Sequence, residues 1–165
     1  MSELNPVSGS GDAHPRPCVL MVLDSNYPPT GGGGAEFQVR TLARYFQSRG
    51  IAVEIIVPMV RYGPQVADEH VDGVPVHRIR YPDLRLIGGA VMLVRLAARL
   101  FVRRHRYAAV HVHIAHRMAG VASVVGALLG KPVIVKLTGL QELEHGILAP
   151  GADDVPGGVQ DEHPI

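Results

Sequence analysis

Short, uninterrupted apolar runs alternate along this chain with segments whose apolar residues recur at helical spacing, and that alternation limits the fold more than any other feature. Cys18–Leu23 (CVLMVL) follows Pro17 and precedes a polar loop, the pattern of a strand covered on both faces. From Ala35 the period changes. Ala35, Val39, Leu42, Ala43 and Phe46 fall on one helical face, and Gly50 stands where a left-handed cap belongs. Residues 53–57 (VEIIV), closed by Pro58, read as the second strand, so the first three elements form a βαβ unit with a right-handed crossover. Residues 59–72 read as a loop, and 74–80 alternate like a third strand nearer an edge, its direction open because no crossover helix precedes it. A helix over about 89–104, a strand Ala109–His113, a helix over 118–129 ended by Gly130, and a strand over 133–137 complete the series. The expected fold is α/β: a Rossmann-like, doubly wound, mostly parallel sheet.

Composition bounds the rest. At 165 residues, 47% apolar and 19% charged, the chain suits one domain with a real core. Sixteen Lys and Arg nearly balance fifteen Asp and Glu, so no global field draws the protein to nucleic acid, and no nucleic-acid partner is expected. Cys18 is the sole cysteine, which excludes an internal disulfide and a multi-thiolate metal site and fits a cytoplasmic location. Residues 1–17 hold no apolar signal segment and read as a flexible leader. Residues 149–165, rich in Pro, Gly and Asp, read as a disordered tail, leaving 18–148 as the domain. The most hydrophobic stretch, 86–102, carries Arg95 and Arg99 near its middle, too costly for a transmembrane span.

Between the first strand and the first helix lies DSNYPPTGGGGAE, residues 24–36. Four glycines entering a helix bring bare backbone amides to a positively polarised N-terminus, a phosphate-binding arrangement. No Lys-Ser or Lys-Thr follows, which argues against Walker-type nucleotide hydrolysis, and the dinucleotide spacing is not met, which leaves NAD a weak alternative. The plain alternative is a flexible surface turn; the strand-to-helix position favours the ligand reading.

Two further clusters carry chemistry. His111, His113 and His116 close the strand Ala109–His113. His111 and His113 share a face and His116 is able to turn back toward them, a spacing close to that of binuclear metallohydrolases. Ala115 stands where those motifs place a carboxylate, so no metal is expected and a metal-dependent hydrolase is the remote alternative. Hydrogen-bonded histidines at a strand end and acceptor-orienting histidines stay open side by side. Arg95, Arg99 and Arg103 recur at i, i+4 and i+8 on an amphipathic, basic helix, which suits either a solvated face or contact with anionic lipid.

The stretch PPTGGGGAEFQVRTLARYFQSRGIAVEIIVP resembles the start of family-four, GT-B-fold retaining glycosyltransferases, and the resemblance runs through GVPVHRIRYP, AAVHVHIAHRMAG and GKPVIVKLTG, over residues 18–148. It implies the N-terminal, acceptor-side half of a GT-B architecture: transfer of a sugar from a nucleotide-sugar to an acceptor hydroxyl with retention. The nucleotide-sugar would be a substrate, with no cofactor. By the same resemblance Gly33 and Gly34 approach the donor diphosphate and His113 or His116 orients the acceptor; by position alone Asn26, His113, Thr138 and Gly139 border the acceptor cleft, His113 being the one catalytic candidate. The acceptor would be a glycan or a lipid-linked molecule, with Arg95, Arg99 and Arg103 as peripheral contacts to the inner membrane face. The family's donor-binding domain is not in the matched stretch, so activity is expected only with a separate donor domain; an inactive truncated fragment or a non-catalytic ligand-binding module are the alternatives. Many relatives carry a Thr-x-His pattern after the strand at 133–137; here Lys136, Leu137 and Thr138 replace it.

Overall fold

A computed structural model describes residues 17–29, 34–84 and 87–137. Its elements are β1 (Cys18–Leu23), α1 (Gly34–Ser48), β2 (Ala52–Pro58), β3 (Asp68–Val71), β4 (Val74–Ile79), α2 (Gly88–Val102), β5 (Ala109–His113), α3 (Arg117–Leu129) and β6 (Val133–Lys136). They build one sheet in the order β3-β4-β2-β1-β5-β6, parallel throughout except that β3 runs antiparallel to β4. The Rossmann-like reading of the alternation therefore holds. The leader expected before residue 17 and the tail after 148 lie outside the described residues.

β1 is central because both of its faces are apolar, and Leu20, Met21, Val22 and Leu23 are fully buried. Successive side chains point to opposite faces, so the strand feeds two cores. Leu20 and Val22 join Ile56, Ile79, Val110 and Val112 beneath α2 and α3. Met21 and Leu23 join Val53, Ile55, Val57 and Val76 beneath α1, which contributes Val39 and Ala43. Helices on both faces let the strands read as continuous hydrophobic runs. The helix ends fall as the glycines indicate, with Gly50 and Gly130 at positive φ. α3 lies close against β6 at Gly126, where a Cβ would stand 2.2 Å from Val133 Cγ2.

The structure corrects one element. Residues 59–72, read from sequence as a loop, contain β3, which forms a hairpin with β4 through Asp72 (φ 52°) and Gly73 (φ 78°). Asp-Gly with both residues at positive φ is the turn whose twist matches paired strands. Arg40 and Arg44 of α1 hold the Asp72 carboxylate at 2.7 and 3.1 Å, and the hydrogen bond from Arg40, with the charge of both, keeps its carboxyl below the usual range. The hairpin also settles the direction of β4, which is parallel to β2.

Candidate active site at the switch point

β1 continues toward β2 on one side and pairs with β5 on the other, so the sheet reverses its winding between β1 and β5. In open α/β sheets ligands bind outside the carboxyl ends of the strands at such a point. Two connections border the crevice here: residues 24–29 after β1, and residues 114–116 after β5. α1 and α3 follow these strands, so both helix N-termini, with their unpaired amides and positive dipole ends, face the same end of the sheet.

The first connection is held from three directions. Tyr27 is fully buried, and its carbonyl accepts a 2.6 Å hydrogen bond from Arg78 Nη2. Arg78, only 1% exposed on β4, also donates to the Val66 carbonyl at 3.0 Å and pairs with Glu69. Ser25 donates to Glu36, an acid in the first turn of α1, where the helix dipole favours negative charge. Asn26 packs against Gly63, where a Cβ would come within 2.2 Å of Asn26 Oδ1, so a larger residue there would displace the Asn26 side chain. Arg78 and Gly63 are functional-site supports that the sequence reading missed; a basic residue amid the apolar run of β4 was the available signal.

The second connection begins with Ile114 at φ 80°, a conformation costly for a β-branched residue and one that clusters at functional sites. The bend turns the chain so that His116, at the N-cap of α3, places Nδ1 3.5 Å from Asp24 Oδ2 across the crevice. His116 is well exposed and Asp24 partly so. The structure thus unites one residue from each connection at the switch point.

His113 occupies a different environment. With His111 it points to the α1 side of the sheet, the two rings 4.2 Å apart, and only 2% of its surface is exposed. Neither ring nitrogen has a hydrogen-bond partner among the described residues. Burial, reinforced by His111 and Lys136, lowers its pKa to about 4, so the imidazole is neutral at physiological pH. Phe37, Thr41, Leu42 and Tyr45 of α1 and Lys136 of β6 complete a groove of about 490 Å³ above the pair. The three histidines are therefore split between two places, and among the described residues no three His, Cys, Asp or Glu side chains are grouped to hold a metal ion.

Gly34 opens α1 at the crevice, with open space where a side chain would stand. Gly33, Thr138 and Gly139 lie outside the described residues. Beside Asn26, at the carboxyl ends of β2 and β4, Met59, Arg61, Gln65, Arg80, Tyr81 and Asp83 line a cleft of about 390 Å³ that the sequence reading also missed. Met59, Arg61 and Gln65 come from the segment read as loop, and Arg80 from the end of the expected third strand.

The arginines of α2 have partners on the sheet edge. Arg103 pairs with Glu54 and lies 2.8 Å from His77 Nε2, and His77 Nδ1 meets Asp68 at 2.6 Å. Arg99 lies 3.6 Å from the same Asp68, and Arg95 donates to the Arg80 carbonyl. The hydrogen bond from His77, with help from these cations, keeps the Glu54 and Asp68 carboxyls below their ordinary range. Arg99 and Arg103 thus reach the carboxylates of the β2–β4–β3 edge, while Arg95 is exposed and meets only the backbone at the end of β4. No helix among the described residues is long and apolar enough to cross a membrane.

A mostly parallel sheet with helices on both faces and a crevice between two helix N-termini defines a Rossmann-like ligand-binding domain, consistent with half of a GT-B fold. Over residues 33–160 the sequence matches the family described as glycosyl transferase 4-like domain, and the chain belongs to that family. No curated protein matches the chain.

Proposed function

We propose that this domain is the acceptor-side half of a transferase that moves a sugar, with retention, from a nucleoside-diphosphate donor to an acceptor hydroxyl. The observation that carries the reading is the switch-point crevice, where the N-terminus of α1, opened by Gly34, and the His116–Asp24 pair lie at the same end of the sheet. The amides of Gly33 and Gly34 approach the leaving diphosphate, where negative charge grows as the glycosidic bond breaks. Fixed dipoles at that position stabilise the transition state without reorganising.

Asn26 and His116 border the acceptor, which enters from the side of the cleft lined by Arg61, Arg80 and Tyr81. Asp24 Oδ2, 3.5 Å from His116 Nδ1, orients the imidazole in this reading, with Nε2 directed at the acceptor hydroxyl. His113 is neutral and buried and supports the β5 end from behind; Thr138 and Gly139 would extend the acceptor side. The remaining charge on the diphosphate requires cations from a separate donor-binding domain. No metal or cofactor takes part in this reading.

Calorimetric titration of the chain with UDP- and GDP-sugars, followed by a transfer assay with the anomeric product read by NMR, tests it. Nucleotide-dependent heat and an α-linked product from an α-donor support the proposal. Inversion would contradict it, as would absence of both binding and transfer when a donor-binding domain is supplied.

A further inference from the structure

Arg40, Arg44, Arg61, Arg78, Arg99 and Arg103 each meet a carboxylate. Arg80 does not. Its guanidinium is exposed and has no hydrogen bond or ion pair among the described residues, yet it lines the cleft of about 390 Å³ at the carboxyl ends of β2 and β4. The backbone that carries it is fixed. The Arg80 carbonyl accepts from Arg95, and the Ile79 carbonyl accepts from the Met59 amide at 2.9 Å. The turn beyond packs against the start of α2, where a Cβ on Gly88 would stand 2.3 Å from the Pro82 carbonyl oxygen.

The facing wall is held as firmly. Gln65 donates to the Val60 and Gly63 carbonyls at 2.8 and 2.9 Å and so clasps the loop that presents Arg61. Arg61 pairs with Asp83, the one acid in the lining, and the two side chains are 76% and 65% exposed. The cleft therefore sets two guanidiniums against one carboxylate, with the Tyr81 phenol beside them. Arg95 adjoins Arg80 on the surface next to it, and from Asp83 to Glu142 the sequence supplies no further acid.

We propose that this cleft receives a phosphate monoester carried by the acceptor, so that the molecule glycosylated is a phosphorylated sugar. A guanidinium fork without a partner, on a fixed backbone in a cleft, is a site for an oxyanion. The two oxygens of a carboxylate would be met by Arg80 alone. The three oxygens of a phosphate engage Arg80, Arg61 and the Tyr81 hydroxyl together. An exposed ion pair costs little to open, so Arg61 turns to the incoming dianion while Asp83 moves into solvent. The sugar then extends toward Asn26, which packs against the same loop at Gly63, and on toward the switch-point crevice. That the bound molecule is the acceptor rests on the transferase reading above; phosphate capture by the cleft is measured without any donor.

Calorimetric titration of the full chain with glucose 6-phosphate, glucose and glucuronate tests it. Glucose 6-phosphate should bind about tenfold more tightly than the other two, with inorganic phosphate as a competitor and with weaker binding in high salt. Its affinity should rise as pH passes about 6, where the second phosphate proton leaves. Arg80→Gln should weaken binding about tenfold without moving the thermal unfolding midpoint, the side chain being exposed. Asp83→Asn, which releases Arg61, should tighten it roughly threefold, an effect that a merely structural ion pair would not produce. Arg106→Gln, an exposed arginine beside the amino ends of the strands, removes the same charge and should leave binding unchanged. Equal affinity for glucose and its phosphate, equal affinity for glucuronate, binding of neither phosphate compound, or binding indifferent to Arg80→Gln would each overturn the proposal. Tight binding of glucose 6-phosphate with no transfer to it, when a donor-binding domain is supplied, would sink the transferase reading instead and leave the cleft a phosphate site.

Discussion

Arg78 shows how one buried residue sets the site. Its guanidinium joins the Tyr27 carbonyl, the Val66 carbonyl and Glu69, and so fixes the connection that carries Asp24 and Asn26. Arg78→Met leaves a carboxylate and a buried carbonyl without their donor, and urea denaturation should show a loss of about 3 kcal/mol, the scale of breaking a buried pair. A Lys at the position keeps charge but not the fork, and should recover only part of that. His113 makes a second residue-scale test. Its folded pKa, about 4, lies below the ordinary histidine value, so the unfolded chain takes up the proton first. The stability it contributes is full above about pH 6.5 and is lost progressively as pH falls toward 4. Replacing His113 with Phe should flatten the stability profile in that window. Glu54 and Asp68, whose carboxyls are lowered, lose their contributions only in more acid solution, so the two effects separate. Neither residue's role is legible in sequence: the burial of His113 comes from α1 lying over β5, and Arg78 becomes an anchor only once β4 neighbours β2 and the hairpin.

At the scale of elements, periodicity identifies most of the chain, because strands buried on both faces and helices with one apolar face leave different signatures. β1 and β5 fall at the residues expected, and β2, β6 and the three helices within a residue or two. β3 escapes the same reasoning: Asp68–Val71 is short and edge-bound, so its burial pattern alternates around polar side chains with no apolar run to mark it. The Asp72–Gly73 pair was the signal available. α3 and β6 approach closely at Gly126. Gly126→Ala would drive a methyl into Val133, and thermal unfolding should report a loss of about 1–3 kcal/mol, the cost of overpacking, even though alanine favours helix. A neutral or stabilised variant would show that α3 moves away from β6 freely.

For the molecule as a whole, the chain's alternation implies a doubly wound sheet, but the strand order that places the crevice between β1 and β5 emerges only from the pairing. The glycine run and the histidines mark the right end of the sheet. They do not reveal that His116 crosses to Asp24 while His113 turns beneath α1, a division made by the reversal at Ile114. Nor do they reveal the cleft that unites Arg61 and Arg80, which stand far apart in sequence and meet only because β4 pairs with β2. The central claim, that the switch-point crevice is where the donor diphosphate is met, is open to direct mapping. UDP and GDP should be titrated into the isotopically labelled full chain and the amide resonances followed. The account predicts shifts at Gly34, Ala35 and His116, with those of β6 unmoved; shifts confined to the groove between α1 and β6, or none at the N-terminus of α1, would contradict it.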